Sequence, residues 1–151
     1  MGELSHTDEQ GRARMVDVGL KVPQRRRARA AGAIEMSAEA LALVHQNQIK
    51  KGDVLTVAQI AGIQAAKRTP ELIPLCHPLL LNKIDVTLRI VDDRIVAESE
   101  VCCIGQTGVE MEALTAVSVA LLTVYDMCKA VDRHMRIGQI VLLEKEKQDV
   151  T

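Results

Sequence analysis

The alternation of apolar and polar positions is clearest in the middle of the chain. From Ile84 to Ile90, apolar residues alternate with charged residues or threonine, and the alternation resumes from Ile95 to Cys103. A period of two is typical of a strand with one buried and one solvated face. The pattern therefore predicts two antiparallel strands joined by a turn at Asp92-Asp93.

Two segments earlier in the chain have the features of capped helices. Ser37 precedes an alanine- and leucine-rich stretch, and Asp53 precedes a longer one that runs toward Thr69-Pro70. Serine and aspartate are favoured N-caps, and the residue before a proline disfavours helical backbone. We expect helices over residues 38–45 and 54–68.

The longest apolar run follows Gly108 and predicts a helix over about residues 109–131. Thr107 and Glu110 have the spacing of a capping box at its start. The uninterrupted apolar part is shorter than the roughly 20 residues that cross a bilayer. We therefore expect a buried core helix and no membrane association.

Shorter apolar segments predict strands at Met15–Val18, at the end of residues 30–36 and at Ile140–Leu143. The stretch Lys21–Arg29 contains Pro23 and several arginines, which favours a loop. The resulting order is strand, helices, hairpin, helix, strand. This order predicts an α+β fold: a ferredoxin-like split βαβ sandwich, with an antiparallel sheet and helices on one face.

The same pattern divides the chain into three parts. We expect a flexible N-terminal arm over residues 1–13, a single domain over 14–145 and a short polar tail over 146–151. No internal repeat or linker divides the central part.

Composition narrows the possible functions. The 151 residues contain no Phe, no Trp and a single Tyr, and the formal net charge is −1. Few aromatics and a near-neutral charge argue against a nucleic-acid binder. The N-terminus has no apolar signal region and the four cysteines have no CxxC spacing, so a cytoplasmic protein without a disulfide framework is expected.

The long helix carries charged residues that an apolar helix tolerates poorly. Buried acids cost free energy unless a partner or ligand meets them. Glu110 is explained by the capping box, whereas Glu112 is not. Asp126 and Lys129 are neighbours at i and i+3, and their apolar surroundings predict a half-buried pair able to exchange protons.

Glu112 and Asp126 are 14 positions apart, which corresponds to about 21 Å along a helix. They cannot contact one small ligand within one subunit. Either each acid pairs with a local base, or a second subunit completes a shared site at a symmetric interface.

Basic residues occur in three groups, which are Arg25–Arg27 with Arg29, Lys50-Lys51 and Lys67-Arg68. Each group alone fits a solvated surface. Lys51 also lies directly before a helix N-cap, where anions are favoured. Together the groups fit a ligand with several phosphates, although no Walker or dinucleotide motif is present.

Cys76 and His77 lie in a segment bracketed by Pro74 and Pro78, which prevents regular structure. Further ligands at metal-site spacing are absent, so no protein metal site is predicted. The segment is either a ligand-contacting loop with His77 as hydrogen-bond donor, or a structural loop.

Six segments together resemble the cyclic pyranopterin monophosphate synthases, the MoaC family of molybdenum cofactor (molybdopterin) biosynthesis. These are Met15–Val18, Lys51–Val54, Ile60–Lys67, Leu72–Pro78, Thr107–Ala116 and Tyr125–Val131. The likeness covers about residues 6–145, which makes the central part a single MoaC-like catalytic domain.

The resemblance implies a lyase-type enzyme with an acid/base mechanism. Its substrate is a cyclised dihydroguanosine triphosphate, which is rearranged into cyclic pyranopterin monophosphate with release of pyrophosphate. The resemblance also implies a homohexamer, a trimer of dimers, with sites between subunits. No cofactor is implied, although Mg²⁺ accompanying the triphosphate is compatible with the acids and phosphates.

Matched by motif, Asp126, Lys129 and Lys51 are the implied catalytic residues. The implied substrate contacts are Leu75, Cys76, His77, Glu110, Met111, Glu112, Lys67, Arg26 and Asp17. A neighbouring subunit is one possible source of Arg26 and Asp17. Two departures from the family pattern are Gln106, where a basic residue is expected, and the tail 144–148, which lacks a Gly- and Lys-rich ending.

Two non-enzymatic alternatives stay open at this point. A ferredoxin-like regulatory module that binds a phosphorylated effector would explain the fold and the basic groups, but not an acid–lysine pair on a core helix. An RNA-binding ferredoxin-like domain is disfavoured because the predicted sheet lacks stacking aromatics.

Overall fold

The structure, a computed structural model, describes residues 5–151. Its elements are β1 (Gln24–Glu35), α1 (Ala38–His45), α2 (Val54–Lys67), α3 (Thr69–Leu72), β2 (Leu81–Val91), β3 (Arg94–Gly105), α4 (Glu110–Cys128) and β4 (Arg136–Asp149).

The four strands form one antiparallel sheet in the order β2-β3-β1-β4. Helices α2 and α4 pack on each other; α2 lies against β2, and α4 lies against β1, β3 and β4. One sheet face is therefore covered by helices. The predicted α+β ferredoxin-like fold is confirmed, with β1 and β3 at the centre of the sheet.

The alternating pattern of the β2–β3 hairpin determines which side chains enter the core. Val86, Ile95 and Val101 are buried, and the charged residues between them lie on the open face of the sheet. Asp92 and Asp93 form the turn, as predicted. The core is built from aliphatic residues, alanine, cysteine and methionine.

Helix α4 is the central helix of this core. Its length and composition alone would also allow it to cross a membrane. In the fold, its Ala116, Val117 and Leu121 are completely buried between the sheet and α2. The prediction of a core helix is confirmed.

Helices α2 and α4 approach closely at Gly62. A Cβ at this position would lie 2.9 Å from the Ala116 carbonyl oxygen and 3.0 Å from Val86 Cγ1. Because the Ala116 carbonyl oxygen is a backbone atom, it cannot rotate away as the end of a side chain could. Gly62 therefore fixes the distance between the two helices.

Two charged segments, one rich in arginine and one rich in glutamate, lie in strands that the sequence did not predict. The predicted loop Lys21–Arg29 is largely the first half of β1, and β4 extends far beyond Ile140–Leu143. The stretch 146–149, expected to be a polar tail, pairs with the first residues of β1. These half-strands are held by backbone pairing and cross-strand charges, which produce no apolar alternation.

Two other local predictions are wrong. Met15–Val18 has no regular secondary structure and does not pair with a strand. Helix α4 has Val109 as its N-cap with no side-chain cap bond, so Thr107 and Glu110 do not form a capping box. Of the expected N-terminal arm, residues 1–4 lie outside the described residues, and the rest includes an isolated bridge between Thr7 and Ala13.

Candidate active site

A charged cluster lies at the C-terminal end of α4, where Asp126 contacts two lysines. Lys51 Nζ donates to Asp126 Oδ2 at 2.8 Å and to the Asp126 carbonyl oxygen at 3.2 Å. Lys129 Nζ is 3.1 Å from the other carboxylate oxygen. Hydrogen bonds from Lys51 and Lys129 hold the pKa of Asp126 below its ordinary value. Asp126 thus contacts both of the other residues that the family resemblance implies to be catalytic.

This cluster is open to solvent. The side chains of Lys51, Asp126 and Lys129 are 52%, 56% and 58% exposed. The prediction of a half-buried Asp126–Lys129 pair is therefore wrong, because Asp126 lies on the outer side of the last helical turn. The cluster presents two ammonium groups and one carboxylate to any molecule that docks on it.

Lys51 reaches the cluster from a tightly folded connection between α1 and α2. The Gln48 N–H donates to the Leu43 carbonyl and the Gly52 N–H donates to the Ile49 carbonyl. Gly52 has a φ of +111°, a value that favours glycine. Asp53 then caps α2 by accepting from the Thr56 N–H and hydroxyl. Gly52 therefore ends the turn and Asp53 caps the next helix. Together they fix the position of Lys51 between α1 and α2.

A cleft of about 230 Å³ lies at the other end of α4. It brings together six of the predicted substrate contacts, which are Leu75, Cys76, His77, Glu110, Met111 and Glu112. His77 Nε2 lies 2.6 Å from the Val16 carbonyl oxygen, so this nitrogen carries a proton and donates it. The proline-bracketed loop and the segment around Val16 are thus bonded to each other and line the same cleft.

Glu112 is the most buried acid of the cleft, with 3% of its surface exposed. Burial raises the pKa of its carboxyl, and the nearby charge of Glu110 adds to this effect. Burial also raises the pKa of the Cys76 thiol, with smaller contributions from Glu112 and Glu110. The cleft therefore favours neutral forms of both groups, which suits proton donation more than nucleophilic attack.

Glu110 forms an ion pair with Lys145 of β4. Lys145 and Lys21, which lines the cleft, are cations near this site that the sequence did not reveal. Lys145 alternates with Glu144 and Glu146, and this alternation is the only sequence signal for it. The signal can be read only once β4 is known to continue past residue 143.

The other predicted substrate contacts, Arg26, Asp17 and Lys67, are not among the residues that line the cleft. Arg26 donates to the carbonyls of Gly105 and Gln106, at 3.4 and 3.2 Å, and borders a second cavity of about 400 Å³. Asp17 accepts from the Gly19 N–H at 2.8 Å. Lys67 is exposed at the end of α2 and makes no ion pair with any described residue.

The cluster and the cleft occupy opposite ends of one helix, about 21 Å apart by helical rise. Within residues 5–151, no group of three His, Cys, Asp or Glu residues could hold a metal ion. Fold and site together define a ferredoxin-like α+β protein with an acid–lysine cluster and a separate cleft.

Comparison with known proteins identifies the family. The chain belongs to the MoaC family, whose model matches residues 15–148. It is 56% identical over 147 residues to a Roseiflexus protein (strain RS-1), covering 96% of this chain and 93% of that protein. A Listeria monocytogenes relative is 53% identical over 146 residues, covering 95% and 90%. Both relatives are named cyclic pyranopterin monophosphate synthase.

Proposed function

We propose that this chain catalyses the reaction for which its relatives are named, the synthesis of cyclic pyranopterin monophosphate in molybdenum cofactor biosynthesis. The substrate is a cyclised dihydroguanosine triphosphate, and pyrophosphate is released. The observation that carries this proposal is the contact of Asp126 with both Lys51 and Lys129. An acid and two lysines in contact are suited to proton transfer and to binding of anions.

The charges of the cluster fit two parts of this reaction. Rearrangement of the purine ring requires several proton transfers, and closure of the cyclic phosphate expels pyrophosphate. The ionised Asp126 can accept a proton, while the neighbouring ammonium groups can donate one or stabilise the departing pyrophosphate. Cleft residues, including His77 and Glu112, would contact the substrate from the opposite side.

We further propose that the enzyme is a homohexamer, a trimer of dimers, in which the cleft of one subunit faces the cluster of another. The separation of the two groups along α4 supports this arrangement, because neither alone contains all the predicted site residues. The edge strand β4 also exposes four consecutive apolar residues, Ile140–Leu143. An exposed apolar edge strand is typical of a surface that associates.

Two further proposals concern cofactor and location. The protein needs no resident cofactor, and any Mg²⁺ arrives with the substrate's triphosphate, whose oxygens are its preferred ligands. The protein acts in the cytoplasm as a soluble assembly, without nucleic acid or membrane as a partner.

The experiment that tests the function supplies the cyclised nucleotide and measures pyrophosphate. Wild-type protein should release it, whereas Asp126→Asn and Lys51→Ala should lose at least about 100-fold in kcat, because each removes a proton-transfer group. Lys50→Ala is the matched control and should keep the wild-type rate, since Lys50 is an exposed neighbour outside the cluster.

Two outcomes would contradict this assignment. A wild-type rate in Asp126→Asn or Lys51→Ala would exclude the catalytic role of that residue. Absence of pyrophosphate at any concentration of the wild-type protein would favour a non-catalytic module that binds a phosphorylated effector.

A further inference from the structure

Asp132, just beyond α4, is a buried acid outside both the cluster and the cleft. Only 8% of its surface is exposed. Its Oδ2 accepts from the Ser37 N–H at 2.7 Å, and its Oδ1 accepts from the His134 N–H at 2.9 Å. These bonds and the interaction with His134 keep the pKa of Asp132 below its ordinary value. The carboxylate therefore stays charged, with one backbone N–H donating to each of its oxygens.

These contacts join three segments of the chain at one point. The Asp132 N–H donates to the Cys128 carbonyl at the end of α4. Ser37 directly precedes α1, and His134 belongs to the connection that enters β4. The end of α4, the start of α1 and the approach to β4 thus meet at a single carboxylate.

The two lysines of the acid–lysine cluster lie on segments that meet at this junction. Lys129 lies three residues before Asp132, in the turn closed by the bond from the Val131 N–H to the Cys128 carbonyl. Lys51 lies beyond α1, whose buried Leu41 and Val44 fix the helix on the core. A shift of α1 at Ser37 would therefore move Lys51 relative to Asp126.

We propose that Asp132 is a positioning residue, which holds the start of α1 against the end of α4 and thereby sets the contact of Lys51 and Lys129 with Asp126. In the described part of the chain, no hydrogen bond or ion pair joins Asp132 to these three side chains, so it acts on them through the segments that it holds together. Its consequence for turnover rests on the proposed function, whereas its effect on the geometry of the cluster does not.

The chemistry of the junction requires a carboxylate. Two backbone N–H groups point at Asp132, one at each oxygen, and an ionised carboxylate accepts at both without presenting a donor. Asparagine keeps one acceptor and directs its NH₂ group at the other N–H. Alanine leaves both buried donors without a partner, which is costly. The loss of positioning should accordingly increase from Asp132→Asn to Asp132→Ala.

The test uses the intact protein and follows the titration of the Asp126 carboxyl by ¹³C NMR, assigned with Asp126→Asn. In Asp132→Ala, displaced lysines should let the pKa of Asp126 rise by about 1, since a close opposite charge depresses a carboxyl pKa by that order. In Asp132→Asn the rise should be smaller. In both variants kcat should fall, by about 10- to 100-fold in Asp132→Ala, with little change in KM.

Val86→Ala controls for general loss of stability, because Val86 is buried in β2 and belongs to neither site. It should lower the thermal midpoint without moving the Asp126 titration. If Asp132→Ala does not fold, Ser37→Pro removes the N–H that donates to Asp132 Oδ2, together with the serine hydroxyl that caps α1 and contacts Asp132. Its control is Ser37→Ala, which removes the cap and keeps that N–H. The Ser37 φ of −65° suits proline.

The proposal is overturned if the Asp126 carboxyl of Asp132→Ala titrates as in the wild type. It is also overturned if Ser37→Pro and Ser37→Ala show the same Asp126 titration. If the variants shift the Asp126 titration but the wild-type protein releases no pyrophosphate, the positioning role holds and the proposed function is refuted. The two failures are therefore distinguishable.

Discussion

Glu112 and Asp126 lie near opposite ends of α4 and differ in their exposure to solvent, and Glu112 is the one that is buried. From the sequence, it shares a helix face with Asp126. In the fold, Glu112 is buried at the cleft, whereas Asp126 is exposed. The angular position on a helix does not determine burial, because positions on one face can meet different neighbours at the two ends of the helix.

The buried Glu112 predicts a pH-dependent stability. Its pKa is raised in the folded protein, so folding favours the protonated acid. As pH rises from below the ordinary glutamate pKa through the raised value, the wild type should lose stability relative to Glu112→Gln. The gain of the variant should reach about 1.4 kcal/mol for each unit by which the pKa is raised.

The measurement compares thermal midpoints of the wild type and Glu112→Gln at about pH 4 and about pH 8, at one protein concentration. Glu71→Gln, an exchange of an exposed carboxyl, controls for the removal of a charge. A Glu112→Gln advantage that shrinks toward high pH would contradict the buried, proton-retaining state of Glu112.

Among the elements, β1 and β4 show why charged strands escape recognition. Arg27 lies within 3.4 Å of Glu100, Glu144 and Glu146, which belong to the two neighbouring strands. The Arg25–Arg29 segment resembles a loop when read alone. Its partners are about 70 to 120 positions away, so only the assembled sheet turns these charges into cross-strand pairs.

The packing of α2 on α4 predicts the effect of a glycine substitution. In an isolated helix, Gly62→Ala would be favourable by about 1 kcal/mol. Here the added methyl group would meet the Ala116 carbonyl oxygen. We expect net destabilisation by about 1–3 kcal/mol, the usual range for overpacking, seen as a lower urea or thermal midpoint.

Gly138→Ala in β4 is the matched control, because no atom lies within 4 Å of the added methyl group. It should leave stability unchanged or raise it slightly. If Gly62→Ala were as stable as Gly138→Ala, the close approach of the two helices would be refuted.

For the whole molecule, the separation of cleft and cluster predicts complementation between subunits. His77→Ala damages the cleft and Asp126→Asn damages the cluster. If a site combines the cleft of one subunit with the cluster of another, each mixed pair contains one intact site. Mixing the two inactive proteins should then restore about a quarter of the wild-type activity, since half of the pairs are mixed.

The control for this experiment is self-mixing, in which each variant is dissociated and reassembled alone and should stay inactive. Native mass spectrometry of differently tagged subunits would verify exchange. Mixed assemblies with no activity would mean that each chain supplies its whole site, despite the distance between the ends of α4.

The sequence by itself determined the three longer helices, the β2–β3 hairpin with its turn, and the family motif around Asp126, since these depend on local periodicity and spacing. Tertiary structure alone decided that Lys51 meets Asp126, that Lys145 meets Glu110 and that β4 continues through charged residues. Those contacts join residues about 35 to 75 positions apart. Their geometry follows from the packing of helices on a sheet. Local sequence patterns do not predict this packing.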